Sequence, residues 1–286
     1  MPRLLAVGHV TWDRREGVDV LGGTVSYAAL AAHKLGWQAA VATSAGSELD
    51  PDRDLPGVSV FWSRGRSTTR FRNAYGADGS RQQLMTARAD DVDLNRVPDD
   101  WREPDVLLLA PVAGEVGPRV ARAFGAEVVG AAAQGWLRGV DADGRVYPRV
   151  WEDPAALLAG VHVLFLSRHD LPRAEDEVPA LLGLVPIVVL TRGWEGLTLY
   201  TRQGQHPIPG LPRPEVDPTG AGDVLAAGFL LRYHETGDPL EAAAFGACAA
   251  SCVVEGVGAS SLGDRAEVER RLALRDRLIE DGEWEE

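Results

Sequence analysis

The chain has 286 residues, 45% of them apolar and 25% charged, an ordinary globular mixture that excludes wholesale disorder. A formal net charge of −13 argues against the basic surface that nucleic-acid or anionic-membrane binding needs, so neither partner is expected, although a local anion site is compatible with an acidic protein. Lys34 is the one lysine, which removes Schiff-base chemistry from every other position and leaves no P-loop lysine.

In chain order, Arg3–Gly8 reads as a short buried strand. A charged stretch follows, then Gly22-Gly23, and then Val25, Ala28, Ala29, Ala32 and Leu35 recur at helical spacing up to Gly36. Gln38–Thr43 is the next strand, and this βαβ rhythm predicts a parallel sheet. Between about 57 and 88 the pattern changes to alternation: Val58, Val60, Trp62, then Thr69, Phe71, Asn73, Tyr75, with a turn over Tyr75–Gly79. We expect antiparallel strands there, forming a lid together with about 12–21, with Trp62, Phe71 and Tyr75 on one face, either the lid's underside or a homodimer surface. The α/β rhythm resumes with strands at Asp105–Pro111, Glu127–Ala132, His162–Leu166 and Pro186–Thr191, and a hairpin over Leu197–Arg202. Helices are predicted at Pro118–Phe124, about 170–184, 221–234, 239–255 and 264–280. The expected architecture is one doubly wound α/β domain over 1–286, a mostly parallel sheet flanked by helices, with a small β-rich lid.

Several chemistries lack their anchors. The six histidines show no H-E-x-x-H spacing, and there is no G-x-S-x-G elbow and no G-x-G-x-x-G after a strand. Cys248 and Cys252 share one face of an Ala-rich helix, which suits buried packing better than a metal pair. The N-terminus does not read as a signal peptide and no 18-residue apolar segment occurs, so the expected compartment is the cytoplasm.

The informative segment is Asp217-Pro218-Thr219-Gly220-Ala221-Gly222-Asp223. Small residues opening a helix expose backbone N–H groups at its positive end, an anion site without basic side chains. Asp223 falls in that first turn. A carboxylate beside an anion site is awkward for simple phosphate binding, but it suits a base that takes a hydroxyl proton while the amides hold a transferring phosphoryl group. A Gly-rich turn with Asp223 as a helix-start residue is the plain structural alternative.

Asp217–Leu230 resembles the C-terminal signature of the ribokinase-like (PfkB) carbohydrate kinases, D-[TP]-x-G-A-G-D. The resemblance implies Asp223 as the catalytic base. It also implies an anion hole from the amides of Gly220, Ala221 and Gly222, with Asp217 and Thr219 shaping the loop beside a monovalent-cation site. Gly22-Gly23 through Lys34-Leu35-Gly36 resembles the family's G-G-x(3)-N-x-A…L-G element, and Gly8–Asp13 its first-strand motif, whose aspartate holds substrate hydroxyls. Asp13, Gly22, Gly23 and Tyr27 are therefore candidate acceptor contacts, with Tyr27 standing where many members have Asn. Gln134-Gly135-Trp136-Leu137-Arg138 follows a strand end, where α/β folds build ligand crevices, and adds Gln134 and Arg138.

Ser167-Arg168-His169-Asp170 stands where the family has N-x-x-E, so Ser167 and Asp170 become nucleotide and magnesium candidates. Thr191-Arg192-Gly193-Trp194-Glu195-Gly196 is similar to its T-x-G-x-x-G nucleotide turn, which adds Thr191, Gly193 and Gly196 to Gly220 and Gly222. Helix 243–254 and the loop 256–260 fall where the family places adenine. The implied function is an ATP- and Mg²⁺-dependent kinase acting on a hydroxyl of a small sugar, polyol or nucleoside, with myo-inositol-like cyclic polyols among the acceptors. The alternative is a non-catalytic sugar- or nucleotide-binding or regulatory protein on the same fold. A phosphate-bearing acceptor would want a basic pocket from Arg70, Arg72, Arg81 and Arg138.

Overall fold

The computed structural model describes residues 1–15, 17–75, 81–171 and 173–280. In chain order its elements are β1 (Arg3–Val7), β2 (Thr11–Arg15), β3 (Val18–Gly22), α1 (Thr24–Lys34), β4 (Gln38–Ala45), α2 (Pro51–Asp54), β5 (Ser59–Arg64), β6 (Thr69–Tyr75), β7 (Arg81–Ala87), β8 (Val106–Leu109) and β9 (Val128–Ala132). There follow β10 (Arg138–Val140), β11 (Val146–Pro148), α3 (Pro154–Leu157), β12 (Val163–Ser167), α4 (Ala174–Leu181), β13 (Ile187–Thr191), β14 (Gly196–Thr201), β15 (Gly204–Pro209), α5 (Ala221–Thr236), α6 (Pro239–Val253) and α7 (Arg265–Glu280).

Nine strands form one sheet in the order β15-β14-β13-β12-β9-β8-β1-β4-β5. It is parallel from β13 to β5, and β14 and β15 add an antiparallel edge. Continuous apolar runs such as Leu4–Val7 fit strands covered on both faces. Leu4 and Ala6 join Val41, Val163 and Phe165 under α1, α5 and α6. Leu5 and Val7 point the other way, with Leu107, Leu109, Val188, Trp101 and Trp136. The Ala-rich sequence of α6 has a packing reason: Gly228 of α5 lies directly against Gly246 and Ala249, a close approach that larger side chains would prevent. Cys248 and Cys252 are buried in this layer, and burial pushes both thiols up, to about 12 and about 11, which leaves them inert packing groups.

Four strands form the lid sheet, β3-β2-β6-β7. Strand β5 was grouped with the lid, but it pairs parallel to β4 from Ala40↔Ser59 to Ala45↔Arg64 and edges the main sheet. Alternation at Val58, Val60 and Trp62 is what a half-covered edge strand shows on any sheet, so it could not tell which one. The aromatic stripe is consequently divided, Trp62 packing on the main core and Phe71 lying in the lid. Within the lid, β6 and β7 pair antiparallel as expected, and β2 joins β6 in parallel. The helix expected at Pro118–Phe124 is a single 3₁₀ turn, Ala121–Ala123, and the one expected from about 170 begins at Ala174, leaving Asp170 in a loop. The turn expected over Tyr75–Gly79 falls largely on residues 76–80, outside those described. Among the described residues no helix is long and apolar enough to cross a membrane.

Candidate active site

Parallel strands send their connecting loops to one end of the sheet, and there the crevice opens. A cavity of about 1240 Å³ lies between this edge and the lid. Of the candidate residues, Asp13, Gly23, Tyr27, Gln134, Arg138, Ser167, Asp170, Thr191, Gly193, Gly196, Gly220, Ala221, Gly222 and Asp223 line it, and Gly22 does not. Gly22 sits behind Asp13, where a β-carbon would come within 2.6 Å of the Thr11 hydroxyl and 2.8 Å of the Asp13 carboxylate. Its lack of a side chain leaves room for that carboxylate.

Two helix N-termini meet at the cavity. Both start after a glycine whose positive φ suits no side chain, Gly23 at 89° before α1 and Gly220 at 82° before α5, and neither has a side-chain cap. No side chain caps either end, although the Ser26 amide turns back to the Gly23 carbonyl at 3.0 Å and the Ala221 amide to the Pro218 carbonyl at 3.2 Å, and the dipoles favour negative charge there. The Tyr27 ring explains why Gly220 is required twice over: a β-carbon on Gly220 would lie 2.3 Å from it. Tyr27 is itself 2% exposed, so the ring supports the anion loop as well as lining the cavity. Behind the loop, the buried Asp217 accepts from the Thr219 amide at 3.0 Å and the Gly258 amide at 3.3 Å, tying it to the loop after α6.

Asp223 lies at the cavity floor in the first turn of α5. Burial raises its carboxyl from the ordinary 3.8 to about 6, opposed by a hydrogen bond with Thr24 and by Arg138, and helped by the negative charges of Asp170 and Asp13. Removing water from the charged form outweighs the other influences. A carboxylate with this affinity for protons is still ionised near neutrality and is well matched to a hydroxyl proton.

Opposite stands Arg138, at the start of β10. Its Nε and Nη2 donate to Asp170 Oδ1 at 3.0 and 2.7 Å, and its Nη1 donates to Gln83 Oε1 of β7 at 3.2 Å. Gln134 Nε2 reaches Asp170 Oδ2 at 3.5 Å. The 3₁₀ turn Ala133–Trp136 sets this wall because Trp136 turns inward, donates to the Val116 carbonyl at 2.7 Å and stacks on Trp151. Ser167 and Thr191 line the cavity with their hydroxyls engaged locally, Ser167 accepting from the His169 amide and Thr191 donating to the Leu166 carbonyl. Further along, Leu225, Ala247, Ala250 and Val254 make an apolar wall.

Sequence reading missed three groups. Thr24, next to the glycine pair, holds Asp223. Gln83 enters the cavity from the lid. Buried Glu115 accepts from the amides of His9 (2.8 Å) and Ala113 (2.7 Å), bracing the loops after β1 and β8. His9 in turn pins the lid's hinge. Thr69 Oγ1 accepts from the Ala89 amide at 2.9 Å and donates to His9 Nδ1 at 2.9 Å, and His9 Nε2 then donates to the Asp90 carbonyl at 2.8 Å. Burial pushes this imidazole below its ordinary value and keeps it neutral. Only Thr24 had a sequence signal, its adjacency to Gly23.

The model of the pfkB family of carbohydrate kinases matches residues 81–265. The chain belongs to this family. One curated relative is a nucleoside kinase of Methanocaldococcus jannaschii, 35% identical over 107 residues, a stretch covering 36% of this chain and 35% of that protein. The chain therefore aligns with about a third of that relative's length. An ATP-dependent ribose-1-phosphate kinase of Halopiger xanaduensis is 28% identical over 261 residues, covering 83% of this chain and 87% of the relative. Among solved structures, a pyrophosphate-dependent kinase in the ribokinase family, complexed with a pyrophosphate analog and myo-inositol, superposes with a TM-score of 0.76 at 19% identity, covering 93% of this chain and 99% of its own. That likeness places the fold among ribokinase-like family members, the expected class.

Proposed function

We propose that this family member transfers the γ-phosphoryl group of ATP to a hydroxyl of a small uncharged acceptor, a sugar, a nucleoside or a cyclic polyol such as myo-inositol. The observation that carries the reading is Asp223, a buried carboxyl raised to about 6 and set at the N-terminus of α5, where no side chain caps the amides around Gly220–Gly222. The acceptor hydroxyl lies against Asp223, which takes its proton as the oxygen attacks phosphorus. The amides hold the charge on the transferring group, aided by the α5 dipole. Asp13, an acceptor-only carboxylate, receives hydrogen bonds from further hydroxyls, and Gln134 with Arg138 faces the acceptor from the opposite wall.

Charge supports an acceptor without phosphate. Arg70 is held by Asp19 at 2.7 Å and Glu48 at 3.1 Å, and Arg138 by Asp170 at 2.7 Å. Arg72 is exposed, and the Arg81 side chain falls outside the described residues. Lining the acceptor side beside these engaged arginines are Asp13 and Asp223, carboxylates that disfavour a second phosphate there. Carboxylates are hard oxygen donors and fit Mg²⁺, which Asp170 would hold together with the donor's phosphates; when bound, Mg²⁺ neutralises phosphate charge. Asp217 shapes the loop through the Thr219 and Gly258 amides. The apolar wall of Leu225, Ala247, Ala250 and Val254 suits a flat base, favouring ATP over pyrophosphate.

The test is phosphorylated-product formation with ATP or pyrophosphate against myo-inositol, D-ribose, D-fructose, cytidine and ribose 1-phosphate. Turnover with ATP and a phosphate-free acceptor is expected. Absence of turnover with every pair, despite acceptor binding, would replace this reading by a non-catalytic binding protein.

A further inference from the structure

The lid sheet places the side chain of Gln83 in the cavity wall, midway along β7 and opposite Asn73 of β6. We propose that Gln83 is a specificity-determining residue that donates a hydrogen bond from its amide NH₂ to a hydroxyl oxygen of the acceptor; this rests on the kinase reading above. The orientation of the amide follows from its partner. Arg138 Nη1 lies 3.2 Å from Gln83 Oε1, and a guanidinium can only donate. The amide oxygen therefore faces Arg138, and the NH₂ is the end left to meet a ligand.

Arg138 is in turn fixed from behind, by two hydrogen bonds to Asp170, so it holds Gln83 as a rigid post rather than a swinging arm. The lid strand is fixed to the same wall a second time. The Met85 amide donates to the Gly144 carbonyl at 2.7 Å, and Leu84 bridges Arg145, so β7 is joined to the β10–β11 hairpin that begins with Arg138. Phe71 of β6, 7% exposed, gives the lid an apolar patch in the same wall. An acceptor between lid and floor thus meets a donor from Gln83 above and acceptor oxygens from Asp13 and Asp223. A hydroxyl-rich ring can satisfy all three, because each hydroxyl both donates and accepts.

Two substitutions separate reading a ligand from anchoring Arg138. Gln83→Glu keeps an oxygen facing Arg138 but replaces the NH₂ donor with another acceptor. Gln83→Met removes both while keeping length. Steady-state KM for myo-inositol, or for whichever panel acceptor the wild type turns over, is measured with KM for ATP, kcat and Tm. The expected result is a KM for the acceptor raised about tenfold in both variants, the size of one lost hydrogen bond, with KM for ATP within about twofold and Tm nearly unchanged. Wild-type acceptor KM in Gln83→Glu would overturn the proposal and reduce Gln83 to an anchor. Parallel rises in both KM values would overturn it as well, pointing to a disturbed lid. A wild type inactive on the whole panel would remove the kinase reading, and this inference with it.

Discussion

The two helix ends that face the cavity have the same construction and different loads. Both α1 and α5 begin at a glycine with positive φ and no side-chain cap. The first turn of α1 carries no acid, and its Thr24 donates to the carboxylate of Asp223 across the gap. The first turn of α5 carries that carboxylate. A helix N-terminus alone attracts an anion. A helix N-terminus with a buried acid beside it must also keep that acid from rejecting the anion, and here desolvation and a hydroxyl from the opposite helix set its proton affinity near neutrality. On the proposed reading, α5 carries the chemistry and α1 positions its carboxylate.

The largest effect expected is on turnover. Asp223→Asn should lower kcat by about 10²–10⁴-fold, measured on the acceptor identified by the panel, with the fold unchanged by circular dichroism. A comparable loss from Thr24→Val would erase the distinction between the two helices.

The next effect concerns stability and has the opposite sign. A carboxyl raised from 3.8 to about 6 binds protons better in the folded chain than in the unfolded one. It therefore favours folding at low pH, and that contribution is lost as pH rises through about 6. At pH 8 Asp223→Asn should be more stable than wild type, by on the order of 2 kcal/mol, and the gain should vanish near pH 4. Thermal unfolding at the two pH values measures it.

Gly220→Ala should destabilise by about 1–3 kcal/mol, because the left-handed backbone is strained for alanine and the new methyl meets the Tyr27 ring. Chemical denaturation checks this. The smallest effect belongs to Thr24→Val. Without the hydroxyl, the Asp223 carboxylate loses a stabilising hydrogen bond and its pKa rises further. The acidic limb of the pH–rate profile should move upward, and kcat at pH 7 should fall a few-fold, about what one hydrogen bond supplies.

Much of this site was legible because its chemistry is contiguous. Residues 217–223 hold loop, amides and base within one short stretch, and the glycines at 22–23 and 220 are each demanded by local geometry. What the sequence does not carry is which residues meet across the sheet. Arg138 and Asp170 stand out singly and Gln83 does not, and only the fold brings a lid strand, a hairpin and the loop after β12 together so that the three pair. Glu115 gave no signal because its partners are backbone amides, which every sequence has. Strand β5 shows the same limit for the fold, since alternation reports one covered face and is silent about which sheet supplies the neighbour.

The role of Asp223 as proton acceptor is tested most directly by the pH dependence of kcat/KM for the acceptor. The wild type should show one acidic limb centred near pH 6, rising tenfold per pH unit below it, and the residual activity of Asp223→Asn should lack that limb. A limb of the same position and steepness in Asp223→Asn would show that another group takes the proton.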